Sequence, residues 1–203
     1  MHPNSKFQIA DRDEMAAIVR EIGFGALVIE TSEGLRAVHV PFLVDGDRIR
    51  FHMSRRNLVC AAASDGCEAL LLVEGPHAYI SPDWYGLEDR VPTWNYVAVE
   101  ITGPVAPLDP AALAALVDGL SEAHEARLLP KPGWSKDKMS PGRYEGLLKA
   151  IAGFELRATG WRGTAKVDQD KPAEVRERIA AALDARGDAA MAGLMRRDGP
   201  WGS

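Results

Sequence analysis

The sequence predicts a mainly β protein with flanking helices, an α+β chain built round a small closed or split barrel. Three observations lead there. Short apolar runs with two-residue alternation recur through the first half, turn residues separate them, and helical periodicity is confined to the N-terminus and the second half. With 203 residues, 46% of them hydrophobic and 26% charged, the chain carries enough apolar material for one sizeable core. The expected division is a barrel domain with inserted helices over 1–160, and a helical segment over 161–203 that completes the same domain.

Each element has its own signal. Asp11 and Glu14 form a capping box, and Met15, Ile18, Val19 and Ile22 recur at helical spacing, so 11–22 is a helix ended by Gly23 and Gly25. Two apolar runs, 24–30 and 35–44, flank a TSEG hairpin turn, and Asp45-Gly46-Asp47 is the next turn. After it Ile49, Phe51 and Met53 face one way while Arg48, Arg50 and His52 face the other, which makes three consecutive antiparallel strands. Pro41 lacks a ladder donor, so its strand must lie at an edge or carry a bulge. Residues 54–64 are a turn entering a short helix. CEALLLVEG (67–75) is a strand buried on both faces or closed into a barrel, and HAYIS continues it past Gly75-Pro76. Further strands follow over 95–105 and 153–159. Asp109 caps a helix with Pro110 in its first turn and a stripe of Leu113, Leu116, Val117 and Leu120. A Pro, Gly and Lys-rich loop spans 128–142, helix returns over 144–150, and Val175, Ile179 and Leu183 form the stripe of another helix. The stretch from Met195 to Ser203 closes the chain as the end of a helix and a loose tail.

Several function classes fall away. A formal charge of -5 gives no positive field for nucleic acid or anionic membranes, and no helix-turn-helix pattern is present. The N-terminus lacks the apolar core of a signal peptide, and no apolar run reaches the roughly 18 residues of a membrane span, so the expectation is a cytoplasmic protein with reduced thiols. Cys60 and Cys67 lack zinc or redox spacing, the five histidines make no metal motif, and neither G-x-S-x-G nor G-x-G-x-x-G occurs.

Two segments carry candidate chemistry. His52, Met53, Ser54, Arg55, Arg56 and Asn57 lie where a strand enters a helix, whose first N–H groups and dipole favour an anion. They outline a phosphate site, and equally a solvated basic turn. Beside Pro41 a strand edge leaves backbone groups free for the rim of a flat heterocycle, although His39 also fits a packed histidine. The second segment, Ser81 to Tyr96, holds Trp84, Tyr85, Trp94 and Tyr96 between turn residues, with Tyr79 just before it. Five large aromatics so close together fit a subunit interface or a pocket for a planar ligand, the bland alternative being core plugs.

GPHAYISPDWY, VPTWNYVAVEITG, HVPFLVDGDRIRFHMSRRN and the downstream IAGFELR with KVDQDKP together resemble the PaiB-like family of FMN-binding negative transcriptional regulators, over about Phe7 to Leu183. The resemblance implies an FMN-binding split β-barrel akin to pyridoxamine 5'-phosphate oxidase, working as a homodimer with FMN at the subunit interface. It implies that the strand at His39, Val40 and Pro41 faces the isoalloxazine. His52, Met53, Ser54, Arg55, Arg56 and Asn57 hold the ribityl chain and phosphate, Trp94, Asn95 and Tyr96 lie near the interface, and Lys166 and Gln169 complete the site. Two departures stand out: Arg56-Asn57-Leu58 replaces the family's A-N-P, and Asp168-Gln169-Asp170 replaces S-Q-N. An inward Asp168 or Asp170 near the phosphate would weaken FMN binding by like-charge repulsion. The implied function is negative transcriptional regulation with flavin redox activity, the acidic charge arguing against direct DNA contact. The alternatives are a flavin-dependent oxidoreductase of small molecules without DNA binding, or a haem-binding split barrel with His39, His52 or His77 as axial ligand. No residue identifies itself as the catalytic acid, His39 and His52 being the nearest.

Overall fold

Alternation of buried and solvent-facing residues builds the strands of the computed structural model, which describes residues 4–197. In chain order the strands are β1 (Gln8–Ile9), β2 (Phe24–Thr31), β3 (Gly34–Asp45), β4 (Arg48–Ser54), β5 (Cys67–Ile80), β6 (Thr93–Pro107), β7 (Ile151–Arg157) and β8 (Gly160–Lys166). The helices are α1 (Arg12–Ile22), α2 (Val59–Ser64), α3 (Pro110–Glu125), α4 (Arg143–Leu148), α5 (Ala173–Ala185) and α6 (Ala189–Arg196). Hydrogen-bonded neighbours run β1-β8-β6-β5-β2-β3-β4-β7, and a further pairing of β6 with β7 closes six of the strands into a ring. The described residues fall into two units interleaved along the chain: Met1–Ile18, Glu74–Val99 and Arg162–Ser203 form the first, Val19–Val73 and Glu100–Trp161 the second.

The second unit holds the hairpins the sequence predicts. β2 pairs with β3 from Phe24↔Pro41 to Thr31↔Gly34, and β3 with β4 from Phe42↔Phe51 to Asp45↔Arg48. Ile49, Phe51 and Met53 are buried, as their alternation requires. Of the two expectations for β5, burial on both faces or closure into a barrel, the second holds: Ala69, Leu71 and Val73 are buried and Leu70 and Leu72 half-buried. A barrel stave has one inner face, which accounts for the alternation. Asp109 accepts the Ala112 N–H at 2.8 Å, a cap worth about 1 kcal/mol, and sets Leu113, Leu116 and Leu120 of α3 into the interior.

In the first unit β1 pairs with β8 through Gln8↔Thr164 and Ile9↔Gly163. Asp11 caps α1 by accepting the N–H groups of Asp13 and Glu14, but Glu14 Oε1 is buried without a hydrogen-bond partner among the described residues, and burial raises its carboxyl above the usual range. Val175, Ile179 and Leu183 of α5 and Met191 and Met195 of α6 are buried. The predicted tail over 198–203 lies outside the described residues.

Candidate functional site

Pro41 decides the geometry of the first group. Phe42 donates its N–H to the Gly23 carbonyl at 3.0 Å on the β2 side, so by alternation the Pro41 nitrogen faces β4. The β3–β4 ladder begins one residue later, at Phe42↔Phe51. Residues 34–41 of β3 are therefore laddered to β2 alone and residues 42–45 to β4, with Phe42 also bonded to Gly23 on the β2 side. The expected edge exists on the β4-facing side of the segment that carries His39, Val40 and Pro41. Val40 is fully buried, so only its backbone can meet a ligand, whereas His39 is exposed and stacks on Phe24 with ring centroids 6.0 Å apart.

At the far end of β4 the chain reaches the basic turn. Met53 is a core residue. His52 pairs with Gly153 of β7, and Leu108 and Leu113 pack over that glycine, at 3.3 and 3.0 Å from where a Cβ would stand. Burial lowers the His52 imidazole below the usual histidine range, and its Nδ1 is buried without a partner among the described residues. The Ser54 hydroxyl accepts the Arg56 N–H at 3.2 Å. Arg55 is tied to the end of α4, its N–H donated to the Ala150 carbonyl and its Nε to the Lys149 carbonyl.

The predicted anion site at the helix start takes a different form. α2 has six residues, and Asn57 takes its first N–H groups, Oδ1 accepting from Val59 and the carbonyl from Cys60. Cation chemistry must come from side chains instead. The Arg56 guanidinium is exposed and, among the described residues, has no protein partner. That donor set fits a phosphate: a fork of N–H groups not already spent on the protein.

The second group, in the first unit, is a buried polar network. Asn95 is fully buried and donates to Asp168 Oδ2 at 2.8 Å, and the Tyr85 hydroxyl donates to the same oxygen at 3.1 Å. Lys166 gives its ammonium protons to Thr93 Oγ1, the Trp94 carbonyl and Asn95 Oδ1, at 2.8, 2.8 and 3.1 Å. Burial pulls the Lys166 ammonium below the usual lysine range, with Asp168 and Asp170 opposing. Burial first, and the Asp168 carboxylate second, push the Tyr85 phenol well up. Gln169 is spent on backbone, accepting from Val167 and donating to Ala165 and Lys6. Asp168 therefore does point inward, but into a network that uses its charge. Asp170 pairs with Lys6 and Lys171, whose hydrogen bonds outweigh burial and hold its carboxyl low.

The aromatic segment divides three ways. Tyr85 is buried in the network, Trp84 is half-buried with the Arg186 guanidinium 5.6 Å from its ring, and Trp94 is 55% exposed. Trp94 packs with His77 and Tyr79, centroids 6.0 and 6.3 Å away. Sequence reasoning missed the Tyr85–Asp168–Asn95 network, although one signal was there: Asn95 is in phase with Val97 and Val99, the buried row of β6.

Among the described residues no cluster of His, Cys, Asp and Glu could hold a metal, and no helix is long and apolar enough to cross a membrane. Residues 1–160 match the family model described as "Putative FMN-binding domain". The chain is 31% identical over 169 residues to "Protease synthase and sporulation protein PAI 2" of Bacillus subtilis (strain 168), which covers 81% of this chain and 80% of that protein. Among solved structures it is similar to the FAD and heme binding protein from Mycobacterium smegmatis, with a TM-score of 0.55 and 16% identity over 78% of this chain and 73% of that one. It is likewise similar to the flavocytochrome Anf3 from Azotobacter vinelandii, with a TM-score of 0.55 and 16% identity over 81% and 72%. At such identities the two structures speak for the fold, an antiparallel split barrel with flanking helices. The chain belongs to the PaiB-like FMN-binding family of split-barrel proteins, and FMN is its cofactor.

Proposed function

We propose that the chain works as a cytoplasmic homodimer with FMN at the subunit interface, and that it acts as a negative transcriptional regulator through flavin chemistry. One observation carries the binding mode: the Arg56 guanidinium stands on an exposed turn with no partner among the described residues, which is the state of a cation kept for a ligand phosphate. The β3 edge at 34–41 offers backbone donors and acceptors to the flavin rim. Bound FMN supplies a carrier of one or two electrons, and the protein's part is to hold and orient it. Lys166 acts by fixing the Trp94-Asn95 segment, and Gln169 by bracing the backbone at Ala165, Val167 and Lys6. Of the two imidazoles weighed as a proton donor, His39 is the exposed one.

The test is an absorbance spectrum of the purified protein after FMN is added and free flavin removed by gel filtration. Flavin is expected to co-elute with a dimer. Arg56→Gln should weaken FMN binding by about ten- to a hundred-fold, the worth of a charge-assisted hydrogen bond; unchanged affinity would remove Arg56 from the site. Trp94→Ala should weaken the dimer by about thirty-fold, as the loss of a central aromatic anchor does. Sedimentation velocity reads that change, and an unaltered dimer overturns the interface.

A second reading, an oxidoreductase of small molecules without any regulatory role, draws on the net charge of -5, which disfavours contact with DNA. Its relative in B. subtilis is named for protease synthase and sporulation, an output that suits a regulator better. Gel shifts on the chain's own promoter at low and moderate salt, alongside nicotinamide oxidation assays, separate the two.

A further inference from the structure

The basic turn also walls a space that the flavin reading leaves unused. In the second unit a cavity of about 410 Å³ lies among the end of α2, the start of α3, α4 and β7. Its apolar wall includes Leu108, Leu113, Leu148 and Phe154. Leu108 and Leu113 are seated on Gly153, so this wall is held in place by packing. The volume and make-up, a largely apolar lining with a few convergent polar groups, are those of a small-molecule pocket.

Its charged groups are Arg55, Lys149 and Glu145, a surplus of one positive charge. Arg55 is fixed there by backbone and side chain together: its N–H reaches the Ala150 carbonyl at 3.0 Å and its Nε the Lys149 carbonyl at 3.2 Å. Those bonds leave its two terminal nitrogens without a partner among the described residues and bring the Lys149 backbone beside them. The adjacent arginines thus differ in their ties, the Arg56 guanidinium without a partner among the described residues and Arg55 bound to the cavity wall.

We propose that this cavity binds a small amphipathic monoanion, a medium-chain or aryl carboxylate. Its apolar body lies on the leucines and Phe154, and its carboxylate meets Arg55 and Lys149. The site does not depend on FMN, so its test is made on flavin-free protein.

Isothermal titration calorimetry with octanoate, and with octylamine as the probe of opposite charge, reads the site directly. Octanoate should bind one per chain and at least about tenfold tighter than octylamine. Leu148→Trp, which fills the cavity from α4, should weaken octanoate by about tenfold or more while FMN uptake and near-UV circular dichroism stay unchanged. Lys149→Glu, at an exposed position, should do the same and repeats the test without altering the apolar wall. Equal binding of the two probes, octanoate binding indifferent to both variants, or no saturation up to about 10 mM overturns the proposal. Failure of FMN to bind, with octanoate bound as described, would count against the flavin site and leave this one standing.

Discussion

Gly103→Ala is expected to cost about 4 kcal/mol or more, a large share of the 5–15 kcal/mol that holds a domain of this kind folded. A Cβ at position 103 would stand 2.0 Å from the Arg157 carbonyl oxygen and 2.9 Å from its carbon. Both are backbone atoms, so no rotamer change relieves the clash and the strands themselves must part. They are the strands that close the ring: Val105↔Leu156 lies just beyond, and Thr159 donates to the Thr102 carbonyl at 2.8 Å on the other side. Glycine inside a strand commonly marks such a close backbone approach. Urea unfolding and near-UV circular dichroism measure the loss. Gly146→Ala is the control, since nothing lies within 4 Å of its Cβ position in α4, and it should be neutral or stabilising by up to about 1 kcal/mol. If Gly103→Ala unfolds at the same denaturant concentration as the parent chain, β6 and β7 do not meet as described.

Asp168→Ala should destabilise by about 3–5 kcal/mol. The substitution strips the acceptor from two buried donors, the Tyr85 hydroxyl and Asn95 Nδ2, each of which then bears a desolvation penalty of about 1–3 kcal/mol. It also removes the carboxylate that offsets burial of the Lys166 ammonium. Position 168 has φ 54°, a left-handed conformation that aspartate tolerates better than alanine does. Asp168→Asn keeps the shape and one acceptor and should cost less. Asp170→Ala, which breaks only partly exposed ion pairs with Lys6 and Lys171, should cost under about 1 kcal/mol. Equal losses for Asp168→Ala and Asp170→Ala in thermal unfolding would show that the network contributes no more than a surface pair.

The meander β2 to β4 was legible because each strand has one buried face, and burial writes a period of two into the residues. β1 and β8 were not. β1 has two residues, too few for any period. β8 reads GWRGTAK, and its small residues answer to tight packing: a Cβ on Gly163 would meet Ile9 Cβ at 2.8 Å and Met15 Cγ at 2.9 Å. Such a constraint appears only once the partners are in place. At the candidate site, residue types were visible and their ties were not. Adjacent arginines look alike in sequence, yet one is bonded to the carbonyls at the end of α4 and the guanidinium of its neighbour has no partner among the described residues. Lys166 and Gln169, read as ligand contacts through the resemblance, carry ties within the protein that the sequence does not display: Lys166 to Thr93, Trp94 and Asn95, Gln169 to Ala165, Val167 and Lys6.

The interleaving of the two units bears on how this protein can be cut. The family match ends at residue 160, an inviting place to stop an expression clone. A fragment ending there would keep Tyr85 and Asn95 and discard Lys166 and Asp168, together with α5 and α6, all of the first unit. Its remaining pieces, two short passages of chain separated by 55 residues of the other unit, would have no Asp168 carboxylate for their buried donors and would lack α5 and α6. The boundary at which the family match ends is not a seam between the two units.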